Sequence, residues 1–82
     1  MTNEGSLNQQ LAGAIAQALQ LPEEQVVISS SVETLESWDS LAHLMVIMEV
    51  EQGFNVQFST EEIPQLTSAK KLQDALRSRG LL

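Results

Sequence analysis

Residues 37–44 read SWDSLAHL, and three of their side chains could do chemistry: the Asp39 carboxylate, the Ser40 hydroxyl and the His43 imidazole. A serine nucleophile needs a base within hydrogen-bond reach and a third group that orients the base. His43, the only histidine of the chain, stands one turn beyond Ser40 on the same helix, and its angular position near Ile47 and Val50 turns it toward the apolar side. Nothing in the pattern marks an orienting carboxylate or an oxyanion site, so the spacing does not favour a self-contained Ser-His hydrolase. The other chemistry open to Ser40 is attachment. A phosphate ester there would stand at a helix start, where free N–H groups and the positive end of the helix dipole meet its charge. Asp39 would repel that charge, so its part would be to cap the turn or to help hold a modifying enzyme's metal ion. Taken alone, Asp-Ser is an ordinary helix start.

Asp39 is a good N-cap, so Ser40 opens a helix predicted over 40–52, with Gly53 as the left-handed cap and Phe54 as the apolar residue behind it. On its wheel Leu44, Ile47, Met48 and Val50 spread over a broad apolar arc. Ala42, Met45, Glu49 and Gln52 share another side, where Met45 is the one apolar residue of a solvated face. Ser6-Leu7-Asn8-Gln9 has the form of a capping box, and Leu7, Leu11, Ala14, Ile15, Ala18 and Leu19 follow at helical spacing, which predicts a first helix over 7–19 that closes ahead of Pro22. Ser59-Thr60-Glu61-Glu62 is a second capping box, opening a short helix over 60–63 that Pro64 stops. Thr67 or Ser68 caps a last helix over 68–79, with Ala69, Leu72, Ala75 and Leu76 on one stripe. Arg77 and Arg79 lie in its final turn, where the dipole favours them, and Gly80 stands at its end.

Between the first two helices, Val26, Val27 and Ile28 lie among polar clusters with no strand of comparable strength to pair with. Residues 21–39 therefore read as a long connection pinned by Val26, Ile28, Val32 and Leu35, a length more often functional than incidental. Phe54, Val56 and Phe58 alternate, and for the same reason they read as an extended link whose two aromatics plug the core. The expected fold is all-α, a small irregular four-helix bundle of three main helices plus one short helix, with a long first loop, in a single domain over 1–82. Residues 1–5 and the tail after Gly80 are expected to be mobile.

Composition narrows the function classes. A fold of 82 residues buries about 60% of the surface of its extended chain, which leaves one modest core and no enclosed cavity of the size most cofactor enzymes need. The absence of Cys removes disulfides, thiolate catalysis and Cys-based metal sites. Residues 1–20 lack the basic start and apolar run of a signal peptide, and no segment reaches the roughly 18 apolar residues of a membrane span, so a soluble, cytoplasmic protein is expected. Residues 1–66 carry ten acidic and no basic side chains, whereas 67–82 carry Lys70, Lys71, Arg77 and Arg79 against Asp74 alone. Such a surface repels nucleic acid and anionic lipid and suits a partner with a basic patch, although acidity also serves plain solubility.

WDSLAHLMVIMEVEQGF, residues 38–54, closely resembles the core motif of the acyl carrier protein family, in which Asp-Ser-Leu opens the second helix and the serine hydroxyl receives 4'-phosphopantetheine from coenzyme A. The likeness covers nearly the whole chain: a first helix ending before Pro22, the long loop, the Gly53-Phe54 exit, the short helix from Ser59 and the last helix after Leu66-Thr67. It implies that Ser40 is the attachment serine, Asp39 the preceding aspartate, Leu41 the leucine flanking the arm and Phe54 the core phenylalanine. It also implies a non-catalytic carrier, itself a substrate of a phosphopantetheinyl transferase, with no metal. The cofactor's thiol would let a chain without Cys carry a thioester. Acyl-loading, condensing or acyl-transfer enzymes with basic docking patches would meet the second helix and adjoining loop through Trp38, Met45, Glu49 and Gln52, the carrier being a monomer. In the fatty acid type the acyl group folds back into an apolar cleft, for which Leu44, Ile47, Met48, Phe58 and Ile63 are the candidates; they read equally as core.

The chain departs from the family where the second helix usually shows several acidic residues. Here Met45 stands amid Glu49, Glu51 and Gln52, which suits a contact that discriminates by fit, although a single exposed Met also needs no special explanation. Trp38 reads as a partly buried anchor that also borders the arm or a docking enzyme. Tryptophan just before Asp-Ser-Leu resembles stand-alone carriers of specialised polyketide or modified-acyl pathways. Two alternatives stay open. An aminoacyl or peptidyl carrier shares the fold, though those relatives more often have a small glycine-rich stretch where this chain has Glu36-Ser37-Trp38-Asp39. A small helical adaptor would bind a basic partner with no prosthetic group.

Overall fold

The computed structural model describes residues 6–82, so the expectation for residues 1–5 lies outside the described residues. The apolar repeat of the first helix forms α1 (Gln9–Leu19). Its cap is not the expected box. Asn8 Oδ1 accepts from the Leu11 N–H at 3.0 Å, so the helix starts later than 7 and Ser6 lies outside it. The reason is tertiary: Gln73, on the far side of the chain, accepts from the Asn8 N–H at 2.6 Å and donates to the Ser6 carbonyl at 3.0 Å, which holds Ser6 and Asn8 in place. Gln20 closes α1 in the left-handed region at φ 59°, and Leu21 N–H then bonds back to the Ala16 carbonyl, a Schellman-type ending. Just past Pro22 the connection makes a single 3-10 turn, η1 (Glu23–Gln25).

The second helix, α2 (Ser40–Phe54), is capped by Asp39 as expected but runs on through Gly53. Asn55, at φ 54° and ψ 51°, takes the left-handed position assigned to Gly53, a conformation asparagine tolerates better than most residues. Two side-chain bonds hold this last turn. Gln10 Nε2 donates to the Gly53 carbonyl at 2.8 Å, and the Glu51 carboxylate accepts from the Phe58 N–H at 2.8 Å.

The box at Ser59 forms as read, with Ser59 N–H donating to Glu62 Oε2 at 3.0 Å and Glu62 N–H donating to Ser59 Oγ at 3.2 Å. It opens onto a single 3-10 turn, η2 (Ile63–Gln65), instead of a helix over 60–63. Pro64 sits inside it, in a first turn where a missing N–H breaks no helical bond. The last helix, α3 (Ala69–Ser78), is capped by Ser68, whose Oγ accepts from the Lys71 N–H at 3.1 Å.

Among the described residues no strand forms, so 26–28 and 55–58 are links, whereas Phe54, expected in the second link, is the last residue of α2. Beyond η1, the first connection makes a single antiparallel bridge from Ser31 to Ser68. There Val32 N–H donates to the Thr67 carbonyl and Ala69 N–H donates to the buried Ser30 carbonyl. Backbone bonds, and not Val32, hold the loop: Val32 is 37% exposed, against expectation. Val26 is buried, and Ile28 and Leu35 are half-buried.

Leu11 and Ile15 of α1, Val46, Ile47 and Val50 of α2, and Leu72 and Leu76 of α3 share one core with Trp38 and Phe58. α1 packs most extensively on α2. Arg79 closes the far end by pairing with Glu62 and lying 4.9 Å over the Phe58 ring. The Glu62 carboxyl is held below its ordinary value by the Arg79 hydrogen bond first and the Ser59 amide next. Among the described residues no helix is long and apolar enough to cross a membrane.

Candidate functional site

The site begins with how α2 is started. Trp38 N–H bonds to the Leu35 carbonyl at 3.0 Å, which turns the loop, and Asp39 comes next in extended conformation. Its Oδ1 accepts from the Ala42 N–H at 2.8 Å and caps the helix. Ser40 is then the first helical residue, exposed to solvent, and Leu41 beside it is 72% exposed.

Beneath them lies a buried pair. Trp38 Nε1 donates to His43 Nδ1 at 3.0 Å, and His43 Nε2 lies 2.8 Å from the Ile63 carbonyl. An indole N–H can only donate and a carbonyl can only accept, so His43 accepts at Nδ1 and carries its proton at Nε2. Both ring nitrogens are engaged, and neither is placed as a base for Ser40. The imidazole instead ties three elements together: the loop through Trp38, its own helix, and η2 through Ile63.

Ser40, Asp39 and Trp38 line one open groove of about 570 Å³ with Val32, His43, Leu44, Ile63, Pro64 and Thr67. Its walls are largely apolar, and Ser40 is one of the residues that line it. A larger groove of about 670 Å³ lies between α1 and the first connection, lined among others by Leu7, Glu23, Glu24 and Val27. Size is a poor guide here, because Ser40 does not line that groove.

The outward side of α2 departs most from expectation. Leu41, Leu44, Met45 and Met48 are 72%, 52%, 47% and 57% exposed, a single stripe at helical spacing. The helix buries His43, Val46, Ile47 and Val50 instead. Leu44 and Met48 are thus not core residues, and Met45 is not the lone apolar residue outside. Glu49 is half-buried and Gln52 exposed, each at helical spacing from Met45. Trp38, expected to be a partly buried anchor and a partner contact, is only 1% exposed: it anchors, and it offers a docking protein no more than part of the groove wall. The sequence reading missed His43 as a structural tie. The one available signal was the 43, 46, 47, 50 spacing, which matches an inner stripe as well as any other on this helix.

No known protein family's profile matches the chain, and no curated protein matches it.

Proposed function

We propose that the protein is an acyl carrier whose Ser40 hydroxyl is esterified with 4'-phosphopantetheine. One observation carries the reading: a solvent-exposed serine opens the longest helix and lines an apolar groove, with its neighbouring carboxylate capping the helix. The surroundings suit a phosphodiester. Its charge would face the positive end of α2, and the arm could run along the groove past Leu44 and Ile63. Because His43 is occupied, activation of Ser40 falls to an outside catalyst, a phosphopantetheinyl transferase. In that step the Ser40 oxygen bonds to the pantetheine phosphorus of coenzyme A and the pyrophosphate linkage breaks. Adenosine 3',5'-bisphosphate leaves, and the serine proton passes to the transferase. Once attached, the group supplies the thiol that holds an acyl cargo as a thioester.

The chain's own residues would then present that cargo. Asp39 fixes the turn from which the arm projects, Leu41 flanks the arm, and Leu41, Leu44, Met45 and Met48 meet acyl-loading, condensing or acyl-transfer enzymes. The outward stripe also favours a second reading, a helical adaptor that docks partners without any prosthetic group. Incubation of the apo-protein with coenzyme A and a broad-specificity transferase separates the two. Intact-mass measurement is expected to show one added phosphopantetheine, absent in Ser40→Ala. No gain, with the transferase active on a control carrier, would sink the carrier reading and leave the adaptor.

A further inference from the structure

The carrier reading leaves open where a cargo would lie, and the structure offers two places: the open groove beside Ser40 and the core on the inner side of α2. From Ser40 the inner side begins at His43, the first buried residue of the helix. Trp38 lies against it from the loop, the two rings 6.1 Å apart, and Ile63 holds it from η2. Along the inner side of α2, the path from Ser40 to Val46 and Ile47 passes this pair, and an acyl chain taking it would displace the pair. That would strip the indole N–H, the imidazole and the Ile63 carbonyl of their partners in a buried setting, among the costliest local changes a core can undergo. Greasy walls alone would part more readily, since refilling them with methylenes restores what was lost.

The residues that would line an inner cleft are also committed elsewhere. Ile47 and Phe58 are core residues, whereas Leu44 and Met48 face outward. We infer that the Trp38–His43–Ile63 tie bars long acyl chains from the core, so that this chain carries short acyl groups kept in the solvent-open groove at Ser40. The inference rests on the carrier reading.

A chain-length series tests it. A broad-specificity transferase and the matching acyl-coenzyme A donors would load acetyl, butyryl and octanoyl forms, with intact mass verifying each. Failure to load would sink the carrier reading and the inference with it. Once loading is seen, methyl resonances of Val46, Ile47 and Val50 and the thermal midpoint report on the inference alone. In the wild-type protein the three forms are expected to share interior shifts and midpoint. Interior shifts that move, or a midpoint that climbs, with chain length would overturn it. A folded His43→Ala is expected to gain that chain-length response, and its absence would overturn His43 as the barrier. Should His43→Ala fail to fold, the wild-type series decides the matter without it.

Discussion

The two long faces of α2 are nearly equal in pattern and opposite in fate. One reads His43, Val46, Ile47, Val50 and is buried; the other reads Leu41, Leu44, Met45, Met48 and lies in solvent. Both keep the same three- and four-residue spacing, and the outer face has the larger apolar side chains. Hydrophobicity along the helix therefore did not choose the inner face. The choice depends on the partners each face can find. The histidine goes inside because the Trp38 indole and the Ile63 carbonyl satisfy both ring nitrogens, while the four outer residues stay between 47% and 72% exposed. A contiguous apolar stripe left in water is a surface that suits association.

The largest expected effect lies on the inner side. Trp38→Ala removes the most voluminous fully buried side chain and the donor to His43, and it is expected to cost about 3–5 kcal/mol, read from chemical denaturation. For a domain of this size that is a large part of total stability. A loss below about 1 kcal/mol would mean that the loop does not rest on this ring.

The outer side should behave in the reverse manner. Leu44→Gln with Met48→Gln is expected to leave unfolding free energy within about 0.5 kcal/mol per site, as for surface positions generally, while slowing phosphopantetheinylation of the unchanged Ser40. Equal rates with the wild-type protein would separate the stripe from partner docking and erase the functional half of the contrast.

The smallest effect is electrostatic and belongs to neither face. Arg79 depresses the Glu62 carboxyl below its ordinary 4.5. A carboxyl lowered on folding lends stability above its unfolded value and loses it as pH falls through the folded one. Acid unfolding of Arg79→Ala should therefore show a shallower loss of stability below about pH 4.5 than the wild-type protein. The pair is open to solvent, so salt should narrow the gap between the two curves.

The features that could be read from residues alone divide along the same line as the two faces. The caps at Asp39, Ser59 and Ser68 were legible because each is closed by an amide three residues away. Asn8 was hidden behind a better-looking box at Ser6, because Gln73 decides between them from the opposite end of the chain. The exit of α2 was placed at Gly53 on its intrinsic freedom, but Gln10 and Glu51 carry the helix on to Asn55. At the candidate site, Ser40 at a helix start was legible from Asp-Ser-Leu. The groove was not, since its opposite wall comes from Ile63, Pro64 and Thr67.

By itself, then, the sequence determined that this chain makes three helices, where two of them begin, and that a serine hydroxyl stands at the head of the central one. Those outcomes depend on caps, prolines and periodicity, whose forces act within a turn or two. Only the tertiary structure decided that Leu44 and Met48 face water, that His43, read from its spacing as inward, has both ring nitrogens bonded, and that Trp38 is sealed beneath the site. A helix with apolar residues on two faces has no preferred inner face of its own, and the bonds that select one come from outside it, from Trp38 in the preceding loop and Ile63 in η2.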